Sequence, residues 1–253
     1  KHIPFMEIQE YKNIFENEER HFFYVANHNI ILSLIKKYLK DSHKKLKILD
    51  AGCGTGGLAK KLKKFGEVVG VDISSDALKF AKKRGVNTKK ASVTKLPLKT
   101  NTFDVVTSVD VIYHKAVKDD IRALKEIYRV LKPGGILILR VPANKWLKLA
   151  HDRHVHTRER YDKKELRNKL IKVGFRIEKL SFVNSLLLPV AATQQIWENI
   201  FQSESTSSAI GPLPNLINKT LTHLLSIERN ILLKINLPFG IGLVAVCRKP
   251  LYG

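Results

Sequence analysis

Cysteine is nearly absent: Cys53 and Cys247 are the two in 253 residues. So far apart, they give no disulfide framework, and their glycine-rich and apolar surroundings suit small buried residues better than nucleophiles. No apolar run approaches the ~18 residues of a membrane span. The start, Lys1-His2-Ile3-Pro4, carries no signal-peptide pattern, so a cytoplasmic protein is the expectation. Acids are also scarce, 23 Asp+Glu against 45 Lys+Arg, for a net charge of +22. Residues 49–100 carry +8 and 151–185 carry +5, whereas 186–238 are neutral. A field of that kind favours anionic partners such as nucleic acid, lipid headgroups or phosphorylated compounds. The lysines are scattered along helices, so a merely solvated basic surface stands beside that reading.

What is present is concentrated in one stretch. Residues 47–56, Lys-Ile-Leu-Asp-Ala-Gly-Cys-Gly-Thr-Gly, are an apolar strand that ends on an acid and enters a glycine-rich turn. Gly57, Leu58, Ala59, Leu62 and Phe65 then follow with the spacing of a buried helix face. Alternating glycines let the chain turn sharply and let a ligand approach the backbone, while the helix start offers free N–H groups. Gly52, Gly54 and Gly57 also satisfy the G-x-G-x-x-G pattern of dinucleotide enzymes, with Asp72 at about the expected ~20-residue distance. Asp50 opposes that reading, because it would set a negative charge against a pyrophosphate. An acid there suits a cationic ligand.

Asp50-Ala51-Gly52-Cys53-Gly54-Thr55-Gly56 resembles the first motif of class I S-adenosylmethionine-dependent methyltransferases of the small-molecule and lipid type. Three further stretches resemble that family in order. They are Glu67–Ile73, then Lys95–Leu98 with Phe103–Val106, then Arg129–Leu137 with its Pro133-Gly134-Gly135 turn. The resemblance implies S-adenosylmethionine as cofactor, with Asp50, Ala51, Gly52, Cys53, Gly54 and Gly56 forming the turn around it. It implies that Asp72, followed by Ile73, holds the ribose hydroxyls, and that Asp110, just past the fourth strand, is a further cofactor-binding residue. Ser92 stands where many relatives carry an acid near the adenine, so adenine recognition falls to the Ser92 hydroxyl and the Val93 backbone.

The rest of the chain alternates as a doubly wound α/β protein does. Residues 7–40 read as helical, and strand signals lie near 46–51, 67–73, 88–93, 103–109, 136–142, 176–183 and 241–248. Helices are expected at 57–65, 75–84 with Ser74 or Ser75 as N-cap, 117–131, and from a capping box of Asp162 and Glu165 to Gly174. With the resemblance, the expected fold is a Rossmann-like seven-stranded sheet whose last two strands pair antiparallel. Three units follow: an N-terminal helical segment (1–45), a cofactor-binding core (46–185 with 239–253), and a helical insertion (186–238). The insertion reads as helix, loop and helix, with Ser203–Ser208 and Pro212/Pro214 in the loop. It is long enough to be a lid over the acceptor side of the cleft or an interaction subdomain. Its apolar stripes either pack inward or meet a lipophilic substrate, an anionic membrane face or a second subunit.

Methyl transfer asks chiefly for positioning and exclusion of water. A hydroxyl acceptor would add a general base, for which histidine is the usual candidate. His114 follows the fourth strand, and His151, His154 and His156 lie in the loop after the fifth. The three loop histidines lack regular metal-ligand spacing. That loop is either an anchor for the next helix through Arg158, Arg160 and Tyr161, or a substrate site in which a histidine takes a proton and an arginine binds an anion. Nucleic-acid methylation competes on charge. Yet Asp110-Val111-Ile112-Tyr113 replaces the Asn/Asp-Pro-Pro-aromatic turn of base-methylating enzymes, and no Pro-Cys nucleophile exists. An O- or C-directed methyl transfer to a small-molecule, lipid-linked or glycan-type acceptor is the leading expectation. An RNA methyltransferase, a non-catalytic cofactor-binding protein and an NAD-dependent enzyme are the alternatives.

Overall fold

The structure is a computed structural model and describes residues 8–39, 45–147, 157–201, 211 and 213–251. Seven strands form one sheet: β1 (Leu46–Ala51), β2 (Gly66–Asp72), β3 (Asn87–Lys90), β4 (Phe103–Val109), β5 (Leu131–Pro142), β6 (Arg176–Val183) and β7 (Gly242–Arg248). Their spatial order is β3-β2-β1-β4-β5-β7-β6, with β7 antiparallel to both neighbours and the other pairs parallel. The doubly wound class and the antiparallel final pair are as the sequence predicts. Order reverses at β1 and β4, which opens a crevice at their carboxyl ends, where open α/β sheets bind ligands.

Helices cover both faces because the central strands are apolar on both. On one face, α5 (Asp120–Val130) and α6 (Lys163–Val173) bury Ala123, Leu124, Ile127, Leu166 and Leu170 against Leu137, Leu139 and Val106. On the other lie α2 (Phe22–Tyr38), α3 (Gly57–Leu62) and α4 (Ser75–Lys83), which contribute Ile31, Leu34, Leu58, Leu62 and Leu78 around Ile48, Val105 and Ile138. The insertion supplies α7 (Leu188–Phe201) and α8 (Asn215–Lys234). Helix α8 packs along α2 and sends Leu232 into this second core.

The expected N-terminal helices are present, and two local expectations differ from the structure. Residues 8–38 form two helices, α1 (Ile8–Asn17) and α2, separated by a turn at 18–21 where His21 caps α2 by accepting from Phe23 N–H. Strand β3 stops at Lys90, so Ser92 and Val93 lie in the loop beyond it. The capping box at 162–165 is not formed: Asp162 is the N-cap but makes no side-chain cap bond. The Glu165 carboxylate lies instead between the Lys145 and Lys169 ammonium groups, at 2.7 and 2.9 Å. Bonds to charged donors are the stronger ones and outbid a backbone amide.

Candidate cofactor site

A cavity of about 230 Å³ opens at the crevice. The glycine turn forms its floor. Gly52 has φ +87°, and a Cβ there would lie 2.2 Å from the Val111 side chain, so only glycine fits. Gly54, at φ +52°, has nothing within 4 Å of where a Cβ would point. The bare backbone therefore faces open space. Ala51 ends β1 and is buried, and Gly56 caps α3 in a left-handed conformation. Cys53 lines the cavity with its sulfur packed toward Gly70, and burial pushes its thiol well above the ordinary range. It is a small buried residue, not a nucleophile.

Asp50 and Asp72 reach the cavity from neighbouring strand ends. Asp50 is buried, and its Oδ1 accepts from Thr107 Oγ1 at 2.7 Å across the β1–β4 pair. Burial pushes its pKa up to about 7, with the Thr107 bond opposing and the charges of Glu18 and Asp72 adding to the rise. Asp72 is held by the backbone N–H groups of Gly54 and Ser74, both at 2.9 Å. Its pKa is also raised, by burial that outweighs those two bonds. Among the described residues neither carboxylate has a Lys, Arg or His within ion-pair distance. Ile73, Ser92 and Val93 line the adjoining wall, with the Ser92 hydroxyl 2.8 Å from Thr94 Oγ1.

At the β4 end stands Asp110, at φ +58°, paired with the buried Arg140. His114 follows and also lines the cavity, with Nδ1 accepting the Ala116 N–H at 3.0 Å. That bond puts the proton of the neutral ring on Nε2. Arg158 donates to Val117 O and to the Asp120 carboxylate, and Tyr161 donates to the same carboxylate at 2.7 Å. Arg160 donates to Ala143 O. Arg158 and Tyr161 thus tie the loop to the segment that opens α5, and Arg160 ties it to the residue just past β5. His151, His154 and His156 lie outside the described residues.

The opposite wall comes from a segment that the sequence marked only as helical. Tyr11, Ile14, Glu18, Tyr24 and His28 all line the cavity from α1, α2 and the turn between them. Glu18 is the hub. Its Oε2 accepts from Thr55 Oγ1 at 2.5 Å, from Gly57 N–H at 3.1 Å and from Arg84, whose guanidinium also donates to Phe15 O at 2.7 Å. One N-terminal carboxylate thus ties the helical pair to the glycine turn. His28 lies 3.5 Å from Glu18 and 3.2 Å from Lys61, and burial, with Lys61 adding, drives its pKa down to about 3. Burial pushes the Tyr11 phenol up to about 12. No described residue of the insertion lines the cavity. Its helix α8 instead braces the wall from behind, where Asn218 accepts from Phe22 N–H at 2.7 Å and donates to Arg20 O at 2.8 Å.

Comparison with known proteins agrees with this geometry. Residues 49–139 match the family model of a methyltransferase domain. Over 103 residues the chain is 41% identical to demethylmenaquinone methyltransferase of Lactiplantibacillus plantarum, a match covering 36% of this chain and 43% of that one. Over 110 residues it is 36% identical to the Mus musculus protein named probable tRNA methyltransferase 9B, covering 42% and 24%. The chain thus spans less than half the length of these relatives. Among solved structures, a SAM-dependent methyltransferase of Thermotoga maritima superposes with a TM-score of 0.58 at 23% identity, covering 96% of both chains. Residues 49–139 are therefore a methyltransferase domain, and the whole chain has the fold of solved S-adenosylmethionine-dependent methyltransferases. Another solved structure of this fold, phosphoethanolamine N-methyltransferase 2 of Haemonchus contortus, with a TM-score of 0.56 at 18% identity over 95% of this chain and 60% of that one, holds S-adenosyl-L-methionine.

Proposed function

We propose that this protein transfers the methyl group of S-adenosylmethionine to a small-molecule or lipid-linked acceptor. The observation that carries the cofactor side is electrostatic. In a chain of net charge +22, the cavity is lined by four carboxylates, Glu18, Asp50, Asp72 and Asp110, and by no lysine or arginine among the described residues. Glu18 and Asp110 have arginines behind them, whereas Asp50 and Asp72 are held by a hydroxyl and by backbone N–H groups and keep their charge uncompensated by any described side chain. A pyrophosphate would enter against all four; an ammonium and a sulfonium would be stabilised. When bound, the cofactor supplies an already activated methyl group, so the chain's own work is orientation and dehydration.

In this reading Asp72 holds the ribose hydroxyls, and Ser92 with Val93 meets the adenine. Asp50, Gly52 and Asp110 then face the methionine end. His114 would present its Nε2–H to an acceptor oxygen and orient it, in place of removing its proton, because Nδ1 is occupied by the Ala116 amide. The acid-lined interior also disfavours a polyanionic backbone inside the cleft, which supports a small or lipid-linked acceptor over RNA. Calorimetry with S-adenosylmethionine, S-adenosylhomocysteine and NAD tests the reading. Binding of the first two and not of NAD is expected, and binding of NAD alone would overturn it.

A further inference from the structure

Helix α8 carries two apolar faces, and the core uses one of them. Leu225 and Leu232 are buried toward α2 and the sheet. On another side, Leu216, Leu224, Ile227, Ile231 and Ile235 recur at helical spacing and are 41–78% exposed. This stripe runs about 28 Å at 1.5 Å per residue. The helix shows no acid to solvent: its single carboxylate, Glu228, is buried and accepts from the backbone N–H groups of Asn184 and Leu186.

Cations gather where the stripe ends. Lys37 donates to Leu233 O, and Lys179 donates to Ile235 O at 3.0 Å and to Asn236 Oδ1 at 2.8 Å. Lys163 is close enough to act with Lys37 on the Lys179 ammonium, which burial chiefly, and these two charges further, bring down to about 8. Lys219 and Lys234 are exposed on α8 itself, and Phe239 is exposed just beyond. Isoleucine rows offer nothing to RNA, and a second copy would bring another +22 against this one. A surface that is apolar beneath and anionic above satisfies both halves of the patch.

We propose that α8 is a membrane-docking helix. It lies in the plane of an anionic bilayer with Leu224, Ile227, Ile231 and Ile235 among the acyl chains and the exposed Lys37, Lys219 and Lys234 at the lipid phosphates, while Lys179 is buried beneath them. No helix among the described residues is long and apolar enough to cross a membrane, so the contact is peripheral. This inference stands apart from the methyl-transfer reading, since the stripe lies outside the cavity.

Co-sedimentation of the full chain with vesicles tests it. Vesicles of phosphatidylcholine mixed with phosphatidylglycerol should bind the protein, vesicles of phosphatidylcholine alone should not, and added salt should weaken the binding. The double variant Ile227→Asp/Ile231→Asp should lose affinity by roughly tenfold or more per side chain. Its affinity for S-adenosylhomocysteine should be unchanged, which separates lost docking from lost folding. Equal binding by variant and parent would overturn the proposal, as would failure to bind anionic vesicles. A dimer in solution that the double variant dissolves would also overturn it, in favour of a second copy on this face.

Discussion

Replacing Glu18 with alanine should destabilise the protein by about 3 kcal/mol, the lower part of the ~3–5 kcal/mol range for removing one partner of a buried ion pair. Glu18 and Arg84 are both buried, with side chains 10% and 5% exposed. The variant would leave a guanidinium without its carboxylate and strip acceptors from Thr55 Oγ1 and Gly57 N–H. Arg84 keeps the carbonyls of Phe15 and Thr55, at 2.7 and 3.0 Å, which holds the loss toward the lower limit. Glu18→Gln retains an acceptor oxygen without the charge and should fall between parent and alanine. Urea unfolding supplies the numbers, and a cycle with Arg84→Met isolates the pair, whose coupling should exceed about 1 kcal/mol. S-adenosylhomocysteine affinity should fall in the same variants, because the wall carrying Tyr11, Tyr24 and His28 loses its tie to the glycine turn. A Glu18→Ala protein within about 0.5 kcal/mol of the parent, as for an ordinary surface change, would refute the reasoning.

Asp72→Ala should weaken S-adenosylhomocysteine by about 1.5–3 kcal/mol, the worth of hydrogen bonds to a charged group, read by calorimetry. Because the Asp50 pKa stands near 7 before a cationic ligand arrives, S-adenosylmethionine binding below that pH should release a proton and weaken with acidification; Asp50→Asn should flatten the profile in proton-linked calorimetry. His28 is held neutral in the fold down to about pH 3, whereas the unfolded ring titrates near 6.5. The unfolded state therefore binds the extra proton between those values. The His28 contribution is complete above pH 6.5 and is lost on acidification at up to about 1.4 kcal/mol per pH unit. His28→Gln should make unfolding correspondingly less acid-sensitive across that window.

The glycine turn and its two acids were legible because the chemistry there is local. A strand that ends on Asp50 and runs into Gly52-Cys53-Gly54 declares its backbone shape without help from the rest of the chain. The doubly wound class followed from alternation, and the antiparallel pair from the resemblance. Glu18, Tyr24 and His28 were not legible, since they reach the cavity only through the packing of α1 and α2 over the sheet. A signal existed: Asn27 and His28 interrupt the apolar run from Val25 to Leu32, and a buried polar pair inside such a run needs partners. The capping box at Asp162 failed for the opposite reason. Its pattern was local, but Lys145 from beyond β5 and Lys169 one turn on in the same helix hold Glu165.

Val183 and Gly242 face each other in the β6–β7 register, and Phe182 meets Leu237 just inside. The whole excursion from 184 to 241 therefore leaves the sheet and returns to it at one point. Thermodynamically it is a loop whose ends are already joined, and loop closure depends only logarithmically on length. What is mounted there can be shortened, enlarged or exchanged without re-registering a single strand. The sheet acts as a socket, and the attached helices can diversify as long as Leu232 still fills the second core and Asn218 still backs the cavity wall.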